Sequence, residues 1–264
     1  MKAVSKIHRL RIGIATVGLL AFVGVNMASA KPVSSGGKAV SGYNAIPSKL
    51  PGSVASQGFE CCQTDEFGDQ VILGGTGRTL QSMSVVMVSF ACEAGRWDTN
   101  NCVSSPGATF PVPLTFTIYD DEDGDGVPGD VLAQQTQIVN IRYRPSASPE
   151  CGDGRWFDTR DKLCYNGFAQ TIEMSFATPI TLPDGVIWSV AFNTTTSGHD
   201  PIGPQACNLT PQGCPYDSLN VGAFSAPNAP YVGIDVDEDE AFRNGVMEPD
   251  WTGFRPLGAI KTRK

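Results

Sequence analysis

A short acidic turn has the residue types and the spacing of a cation-binding loop. The run Asp121-Glu122-Asp123-Gly124-Asp125-Gly126 matches the Asp-x-Asp-x-Asp-Gly form of calcium loops, in which alternate carboxylates face one side and glycine allows the bend around a hard cation. The twelfth position is Leu132, where an EF-hand has a bidentate glutamate, so we expect a calcium site of another type. The alternative is a solvated hairpin tip. The expected metal ligands are Asp121, Asp123, Asp125 and Asp130.

A second acidic run, Asp235-x-Asp237-x-Asp239, alternates in the same way. In a strand this spacing places three carboxylates on one face. Such a run is more often a charged, exposed edge that resists aggregation between sheets. A second cation site is therefore the weaker of the two metal hypotheses.

Two cysteine-bounded loops share the opening Cys-x-x-Gly-Arg-Trp, at Cys92–Trp97 and at Cys151–Trp156. An exposed indole on a rigid loop offers a sugar ring broad apolar contact at little entropic cost, and the neighbouring arginine can donate hydrogen bonds to hydroxyl groups. In the alternative, each tryptophan packs its own loop onto the domain, and the repetition of the motif favours this anchoring role. The candidate ligand-binding residues are Arg96, Trp97, Arg155 and Trp156.

The residue sets of common catalytic sites are not evident. Beyond the first thirty residues the one histidine is His199, in a polar run beside Asp200, and the sequence has no Gly-x-Ser-x-Gly elbow. We therefore expect His199 to be a solvated turn residue. A hydrolase that uses two carboxylates needs only two acids at a suitable separation, and with 27 Asp and Glu residues this alternative stays open.

The first thirty residues have the pattern of a secretory signal peptide. A basic start precedes an apolar segment at 12–25 and the small residues Ala28-Ser29-Ala30, which suit a cleavage site. The apolar segment is shorter than the roughly twenty residues that a spanning helix needs. We therefore predict that residues 1–30 are removed and that the chain is secreted, with no membrane span.

Removal of this segment makes the chain more acidic. The formal net charge changes from −8 to −12, because residues 1–30 carry four of the 19 basic residues and none of the 27 acidic ones. Nucleic acids and anionic membranes select basic surfaces, so neither is an expected partner. Cations, or solubility outside the cell, are the interpretations that this charge favours.

Eight cysteines follow the signal segment, and in an exported chain they are expected to form disulfides. Spacing within short polar loops predicts three pairs. Two adjacent cysteines, Cys61 and Cys62, remain; they pair with each other or link two chains into an oligomer. The three predicted pairs are Cys92 with Cys102, Cys151 with Cys164, and Cys207 with Cys214.

Hydrophobic periodicity predicts strands throughout the chain. Apolar and polar residues alternate with a period of two at Leu114–Tyr119 and at Val186–Phe192, which is typical of strands with one buried face. The run Thr79–Phe90 is apolar on both faces and is expected to be a central strand. One helical turn is considered at Asp239–Asn244. Further strands are predicted at Gln70–Leu73, Val131–Tyr143, Thr171–Phe176, Ser218–Val221 and Tyr231–Val236.

These strands indicate an all-β fold, an antiparallel β-sandwich of jelly-roll type that is stapled by disulfides. Residues 31–56 are rich in Gly, Ser, Pro and Ala without periodicity, so we expect a flexible arm there. Residues 57–264 form the single sandwich domain of this prediction. The two Cys-x-x-Gly-Arg-Trp loops are then strand connections, expected at one end of the sandwich.

The sequence resembles a family of exported bacterial β-sandwich proteins, most of which have no assigned activity. The similarity covers about residues 43–260. It implies export and the sandwich, and it brings no catalytic residues; Cys61-Cys62 and the acidic turn depart from the family pattern. The residues that carry it are Glu66-Phe67-Gly68-Asp69, Arg78-Thr79-Leu80, the two Cys-x-x-Gly-Arg-Trp loops, Tyr143-Arg144-Pro145-Ser146-Ala147 and Pro215-Tyr216-Asp217-Ser218-Leu219-Asn220-Val221-Gly222.

Export, acidic loops and loop tryptophans together predict a secreted, non-catalytic binding or surface-interaction module. Its expected partner is an extracellular glycan or matrix polymer, and its expected cofactor is calcium in the acidic turn. The alternatives are a secreted glycosidase-like hydrolase that depends on carboxylates, and a purely structural extracellular protein. Two carboxyl groups about 5 to 10 Å apart in a cleft would favour the hydrolase, whereas burial of both loop tryptophans would favour the structural protein.

Overall fold

The computed structural model describes residues 38–121 and 123–264. The predicted signal peptide at 1–30 therefore lies outside the described residues. Within them, every strand pairing is antiparallel. The strands are β1 Val40–Asn44, β2 Ser56–Gly58, β3 Glu66–Ile72, β4 Thr79–Ser89, β5 Thr109–Asp120, β6 Val131–Arg142, β7 Trp156–Asp158, β8 Leu163–Tyr165, β9 Phe168–Ser175, β10 Gly185–Ala191, β11 Leu219–Gly222, β12 Ile234–Asp235, β13 Ala241–Arg243, β14 Val246–Glu248 and β15 Gly258–Arg263.

Two sheets pack face to face, which confirms the predicted antiparallel sandwich. The first sheet has the order β1-β15-β4-β11-β2, with β9 on the other side of β4, and the second has the order β14-β13-β3-β10-β5-β6, with β12 beside β3. The chain passes repeatedly from one sheet to the other, as in β3 to β4 to β5 and in β9 to β10 to β11. This alternation gives the sandwich its jelly-roll character. Strands β7 and β8 form a separate hairpin.

The core lies between the sheets. It is built from alternate residues of the strands, whose side chains face inward. Leu114, Phe116 and Ile118 of β5 are fully buried, as is Trp188 of β10. A side chain added at Gly258 of β15 would place its Cβ 2.3 Å from the Trp188 ring. The largest core side chain therefore fits only because the facing strand carries glycine there.

The segment expected to be a flexible arm is part of the fold from Val40 onward. Strand β1 pairs with β15, and Tyr43 is fully buried in the core. Ile46, Leu50 and Val54 then pack over the outer face of β4. The expectation of an arm at 31–56 is corrected for these residues, because a few well-spaced apolar side chains order a segment whose overall composition is that of a loop.

Two short helical elements and one strand also differ from expectation. A single α-helical turn, α1, spans Cys214–Asp217, and a 3-10 turn spans Cys207–Leu209. A helical turn was considered at Asp239–Asn244. This range instead contains strand β13, which pairs with β3 and β14. Among the described residues, no helix has the length and apolarity that crossing a membrane requires.

The register of the strands separates the loops into two ends of the sandwich. Ser89 at the end of β4 lies opposite Phe168 at the start of β9, and Ala191 lies opposite Glu66. The connections 59–65, 90–108, 143–167 and 192–218 therefore gather at one end, which we call the cysteine-rich end. The turn between β5 and β6 lies at the other end, the acidic end, because Asp120 pairs with Val186 at the start of β10.

A cluster of ionisable side chains is buried within the core. Asp69 of β3 is fully buried beside Trp188, and the hydroxyl of Tyr43 donates to it at 3.4 Å. Asp235 is ion-paired with Arg255, and both are buried. Burial raises the pKa of Asp69 well above its ordinary value, and the negative charge of Asp235 raises it further. The interior therefore favours the protonated form of Asp69.

This raised pKa predicts how stability depends on pH. Between the unfolded-state pKa of about 4 and the raised folded-state pKa, the folded chain binds more protons, so the contribution of Asp69 to stability falls as pH rises. Asp69→Asn removes this loss of stability at higher pH, because an amide does not titrate. We expect the difference in thermal midpoint, variant minus wild type, to become more positive from pH 4 to pH 7. Exposed Asp153→Asn is the control, and a difference that becomes more negative with pH would contradict the assignment.

Candidate functional site

The acidic turn brings three of its four candidate metal ligands together. Carboxylate oxygens of Asp121, Asp123 and Asp125 lie within 4.8 Å of one another. Asp121 is buried and accepts hydrogen bonds from the amide of Gln70 at 2.7 Å and from the backbone N–H of Gly126 at 3.1 Å. The other two carboxylates are exposed. One anchored and two exposed carboxylates offer part of the oxygen shell that calcium takes.

Two further expectations about acidic residues are corrected by the geometry. Asp130 is not part of this group; its backbone carbonyl accepts the N–H of Asp120 at 2.9 Å and so closes the hairpin. In the second acidic run, Asp235 is buried against Arg255, while Asp239 accepts a hydrogen bond from Thr252 at 2.7 Å. Within the described ranges, the turn is the one place where three such groups converge.

The disulfides hold the loops of the cysteine-rich end. All three predicted pairs form. Cys61 and Cys62 pair with each other, and a Cβ at Gly58 would lie 2.4 Å from the Cys61 sulfur, so glycine is needed there. The described part of the chain has no free cysteine. The structure therefore provides no thiol for the link between chains that the sequence left open.

The two loop tryptophans have different roles. Trp156 is 5% exposed, packs between Tyr165 and Phe168, and donates its indole N–H to the carbonyl of Gly167 at 2.7 Å. It anchors its own loop and presents no face to a ligand, so its candidate ligand-binding role is corrected. Trp97 is 37% exposed and has its ring centroid 5.2 Å from that of Phe90. One indole is therefore an anchor and the other is a platform.

The exposed indole of Trp97 lines a cavity, which we call the Trp97 cavity. Its volume is about 750 Å³, within the range of small-molecule sites. Three connections of the cysteine-rich end contribute to it, together with Asn220 of β11. The residues that define it are Glu60, Cys61, Phe90, Arg96, Trp97, Asp98, Thr196, Gln205, Pro215, Asp217, Ser218 and Asn220.

The segment Pro215–Asn220 forms one wall of this cavity and fixes its neighbours. Asp217 accepts the backbone N–H of Thr195 at 2.9 Å and its hydroxyl at 2.7 Å. The carbonyl of Ser218 accepts the N–H of Phe90 at 2.8 Å. These residues belong to the distinctive string Pro215–Gly222, but the sequence did not predict that they line a cavity. The carboxylate of Asp217 and the carbonyl of Ser218 are thus paired within the protein.

The charged groups of the Trp97 cavity are mostly paired. Arg96 donates two hydrogen bonds to Asp98, at 2.9 and 2.7 Å, and these bonds lower the pKa of Asp98. Glu60 accepts a long contact from the hydroxyl of Thr196 at 3.4 Å. Arg96, Asp98 and Glu60 thus present oriented donors and acceptors at the rim. His199 lies exposed in its loop, as expected, and does not line the cavity.

Arg155, from the second loop, lines a separate cavity of about 590 Å³, which we call the Arg155 cavity. Its walls come from five separate parts of the chain. The residues that define it are Ser53, Val54, Phe90, Arg155, Tyr165, Asn166, Gly167, Phe224 and Phe254. The two candidate arginines therefore serve neighbouring cavities, since Phe90 belongs to both.

Arg144 was not identified as a site residue from the sequence, yet it connects the two loops. It is fully buried; its backbone N–H donates to Ala91 at 2.9 Å and its guanidinium donates to the carbonyl of Gly154 at 2.7 Å. Burial lowers its pKa to about 10. Arg144 is a positioning residue, because it joins the base of the first loop to the second. In the sequence it belongs to the string Tyr143-Arg144-Pro145-Ser146-Ala147, which does not indicate this role.

The contrast between the tryptophans predicts unequal effects on stability. Trp156→Ala should lower the free energy of unfolding by about 3–5 kcal/mol, because it empties a buried site and leaves the Gly167 carbonyl unpaired. Trp97→Ala should cost about 1 kcal/mol, since it removes mainly one aromatic contact. Urea unfolding of both variants measures this. Equal losses would contradict the assignment of one anchor and one platform.

Comparisons with known proteins add no relative from which a role could be transferred. No family model, curated protein or solved structure matches this chain. The proposals that follow therefore depend on the residues and their geometry alone. The feature with the most chemical content is the Trp97 cavity, where an exposed indole, a paired arginine and rigid polar walls surround one space.

Proposed function

We propose that this chain is a secreted, non-catalytic binding module whose ligand is an extracellular glycan or matrix polymer held in the Trp97 cavity. The observation that carries the proposal is the exposed indole of Trp97 on the wall of a cavity of about 750 Å³. An aromatic face with polar groups around it suits a sugar ring, which has apolar C–H faces and a circumference of hydroxyl groups.

The rigidity of the site supports binding. Trp97 lies on a loop closed by the Cys92–Cys102 disulfide, and the opposite wall is closed by Cys207–Cys214. A ligand that meets ordered walls avoids the entropic cost of ordering them itself. Secretion is supported by the pattern of the first thirty residues and by the disulfides, which persist in oxidising compartments.

Calcium has a stabilising role in this proposal. The acidic turn and the Trp97 cavity lie at opposite ends of the sandwich, as the register of β5 and β10 requires. A cation held by Asp121, Asp123 and Asp125 would therefore not contact a ligand in the cavity. It would neutralise the repulsion among these carboxylates and hold the β5–β6 hairpin.

The hydrolase alternative has less support. A general acid in a two-carboxylate mechanism needs a raised pKa, whereas the pKa of Asp98 is lowered by Arg96. Asp217 is occupied by two hydrogen bonds from Thr195. The purely structural alternative is disfavoured by the exposure of Trp97. Product analysis after incubation with a bound oligosaccharide distinguishes binding from hydrolysis.

Substitution of Trp97 tests the proposed binding site. We expect some oligosaccharides on a glycan array to bind the mature protein, and Trp97→Ala to weaken that binding about tenfold or more, because a stacked aromatic ring supplies much of the contact. Titration calorimetry measures the affinity. Tyr231→Ala is the control, since Tyr231 is 43% exposed and lies outside the cavity. An array without binding, or equal affinities of the two variants, would contradict the proposal.

A thermal melt tests the calcium proposal. Calcium at a hundred times its dissociation constant should raise the free energy of unfolding by about 2.7 kcal/mol, a shift of several degrees in the midpoint of a domain of this size. EDTA should reverse the shift, and the double variant Asp123→Asn with Asp125→Asn should lose it. Asp130→Asn, in the same turn, should keep it. A midpoint that calcium does not move would exclude this cofactor.

A further inference from the structure

The Arg155 cavity adjoins the Trp97 cavity across a single side chain. The ring of Phe90 meets Trp97 on one side, with centroids 5.2 Å apart. On the other side its tip reaches Gly167, where an added Cβ would lie 3.0 Å from the Phe90 Cζ atom. Gly167 lines the Arg155 cavity and Trp97 lines the other. The two spaces are thus neighbours, separated by one aromatic ring.

The second cavity also has the surfaces of a sugar site. Phe254 is 47% exposed on its wall, and the ring of Tyr165 lies there with its hydroxyl held by Asp161 at 2.6 Å. Asn166 adds an exposed amide. The wall therefore combines aromatic surface with a hydrogen-bond donor and acceptor, as the wall of the Trp97 cavity does.

The charges of the two cavities have opposite signs. The Trp97 cavity has three carboxylates, those of Glu60, Asp98 and Asp217, and one guanidinium, that of Arg96. Among the residues that line the Arg155 cavity, only Arg155 has a side chain that is charged at neutral pH. Its Nε donates to the carbonyl of Gly152 at 3.3 Å, and no carboxylate of the described residues forms an ion pair with it.

We propose that the ligand is an acidic glycan, with a uronic acid ring in the Arg155 cavity and a neutral neighbouring ring in the Trp97 cavity. A guanidinium binds a carboxylate through paired hydrogen bonds, and Arg155 has donors left for this. The acidic Trp97 cavity disfavours a second carboxylate, so the two rings differ in charge. This inference rests on the proposed glycan function and specifies its ligand.

The net charge of the whole chain does not oppose this assignment. At physiological ionic strength, charges separated by more than about 8 Å are largely screened. Contact between a carboxylate and Arg155 is much shorter than this distance. The local sign of the cavity therefore decides the preference, and the preference should weaken as salt is added.

The test uses three disaccharide probes with the mature protein. They are an aldobiuronic acid (glucuronic acid linked to xylose), its methyl ester, which keeps the ring and removes the charge, and neutral xylobiose. We expect the acid to bind about tenfold more tightly than the ester, as a charge-assisted hydrogen-bonded pair predicts. Arg155→Gln should reduce that ratio to about one, because it weakens binding of the acid more than binding of the ester. Titration calorimetry at one ionic strength gives all affinities.

Two further variants make the result specific. Lys162→Gln removes another cation from the same disulfide-closed loop, outside the cavity, and should keep the tenfold ratio. Arg155→Lys keeps the charge but loses the paired geometry, so it should give an intermediate ratio. A thermal melt of each variant verifies folding.

The possible failures are distinguishable. If the neutral probes bind and Trp97→Ala weakens them, but the acid shows no advantage or keeps its advantage in Arg155→Gln, the inference is overturned and the proposed function stands. If none of the probes binds and the glycan array is also blank, both are overturned.

Discussion

The loops of the cysteine-rich end are held by covalent and buried polar contacts, and the candidate site depends on this constraint. When a long connection without regular structure becomes ordered, the loss of conformational entropy costs more free energy than burial of its few apolar side chains supplies. Three disulfides shorten the free length of these loops, and in the chain-entropy account each stabilises the folded state by roughly 2–4 kcal/mol. Arg144 then joins the first loop to the second, and Asp217 fixes the third. The walls of both cavities are the result.

Three ionisable side chains are buried in the interior at a cost in free energy, and two of them connect segments of the fold. Asp69, Asp235 and Arg255 bring two carboxyls and one guanidinium into the core, where an unpaired charge is strongly disfavoured. Strand β12 is only two residues long, and the Asp235–Arg255 pair ties it to the segment before β15. This pair therefore joins the short strand of one sheet to the segment that leads into a strand of the other.

Much of the fold could be predicted from the sequence because burial of one face requires a period of two. Strands β5 and β10 follow from this pattern, β4 follows from a run that is apolar on both faces, and the three short cysteine loops follow from spacing. Strand β1 could not be predicted, because Tyr43 and its neighbours lie in a segment with the composition of a loop. The inward-facing Asp69 was also missed, since a carboxyl at a core position is recognised only when its partners Tyr43 and Arg255 are brought beside it.

The candidate site was predictable only in part. Sequence identified the two Arg-Trp loops, but the same motif gives a buried Trp156 and an exposed Trp97, because Gly167 accepts the indole N–H of one while the other faces a cavity. Local sequence contains no information about that cavity, whose walls come from segments up to 160 residues apart, such as Glu60 and Asn220. In the acidic turn, spacing predicted three ligands that do converge, whereas Asp130 is held by the hairpin that it closes.

The indole N–H signals of the four tryptophans in a ¹⁵N-labelled sample show whether the ligand occupies the Trp97 cavity. On addition of a binding oligosaccharide, the account predicts that the Trp97 signal moves in a saturable manner. The signal of Trp188, which is fully buried in the core, should stay in place. Movement of another indole with an unchanged Trp97 signal would contradict the account, because the ligand would then lie elsewhere.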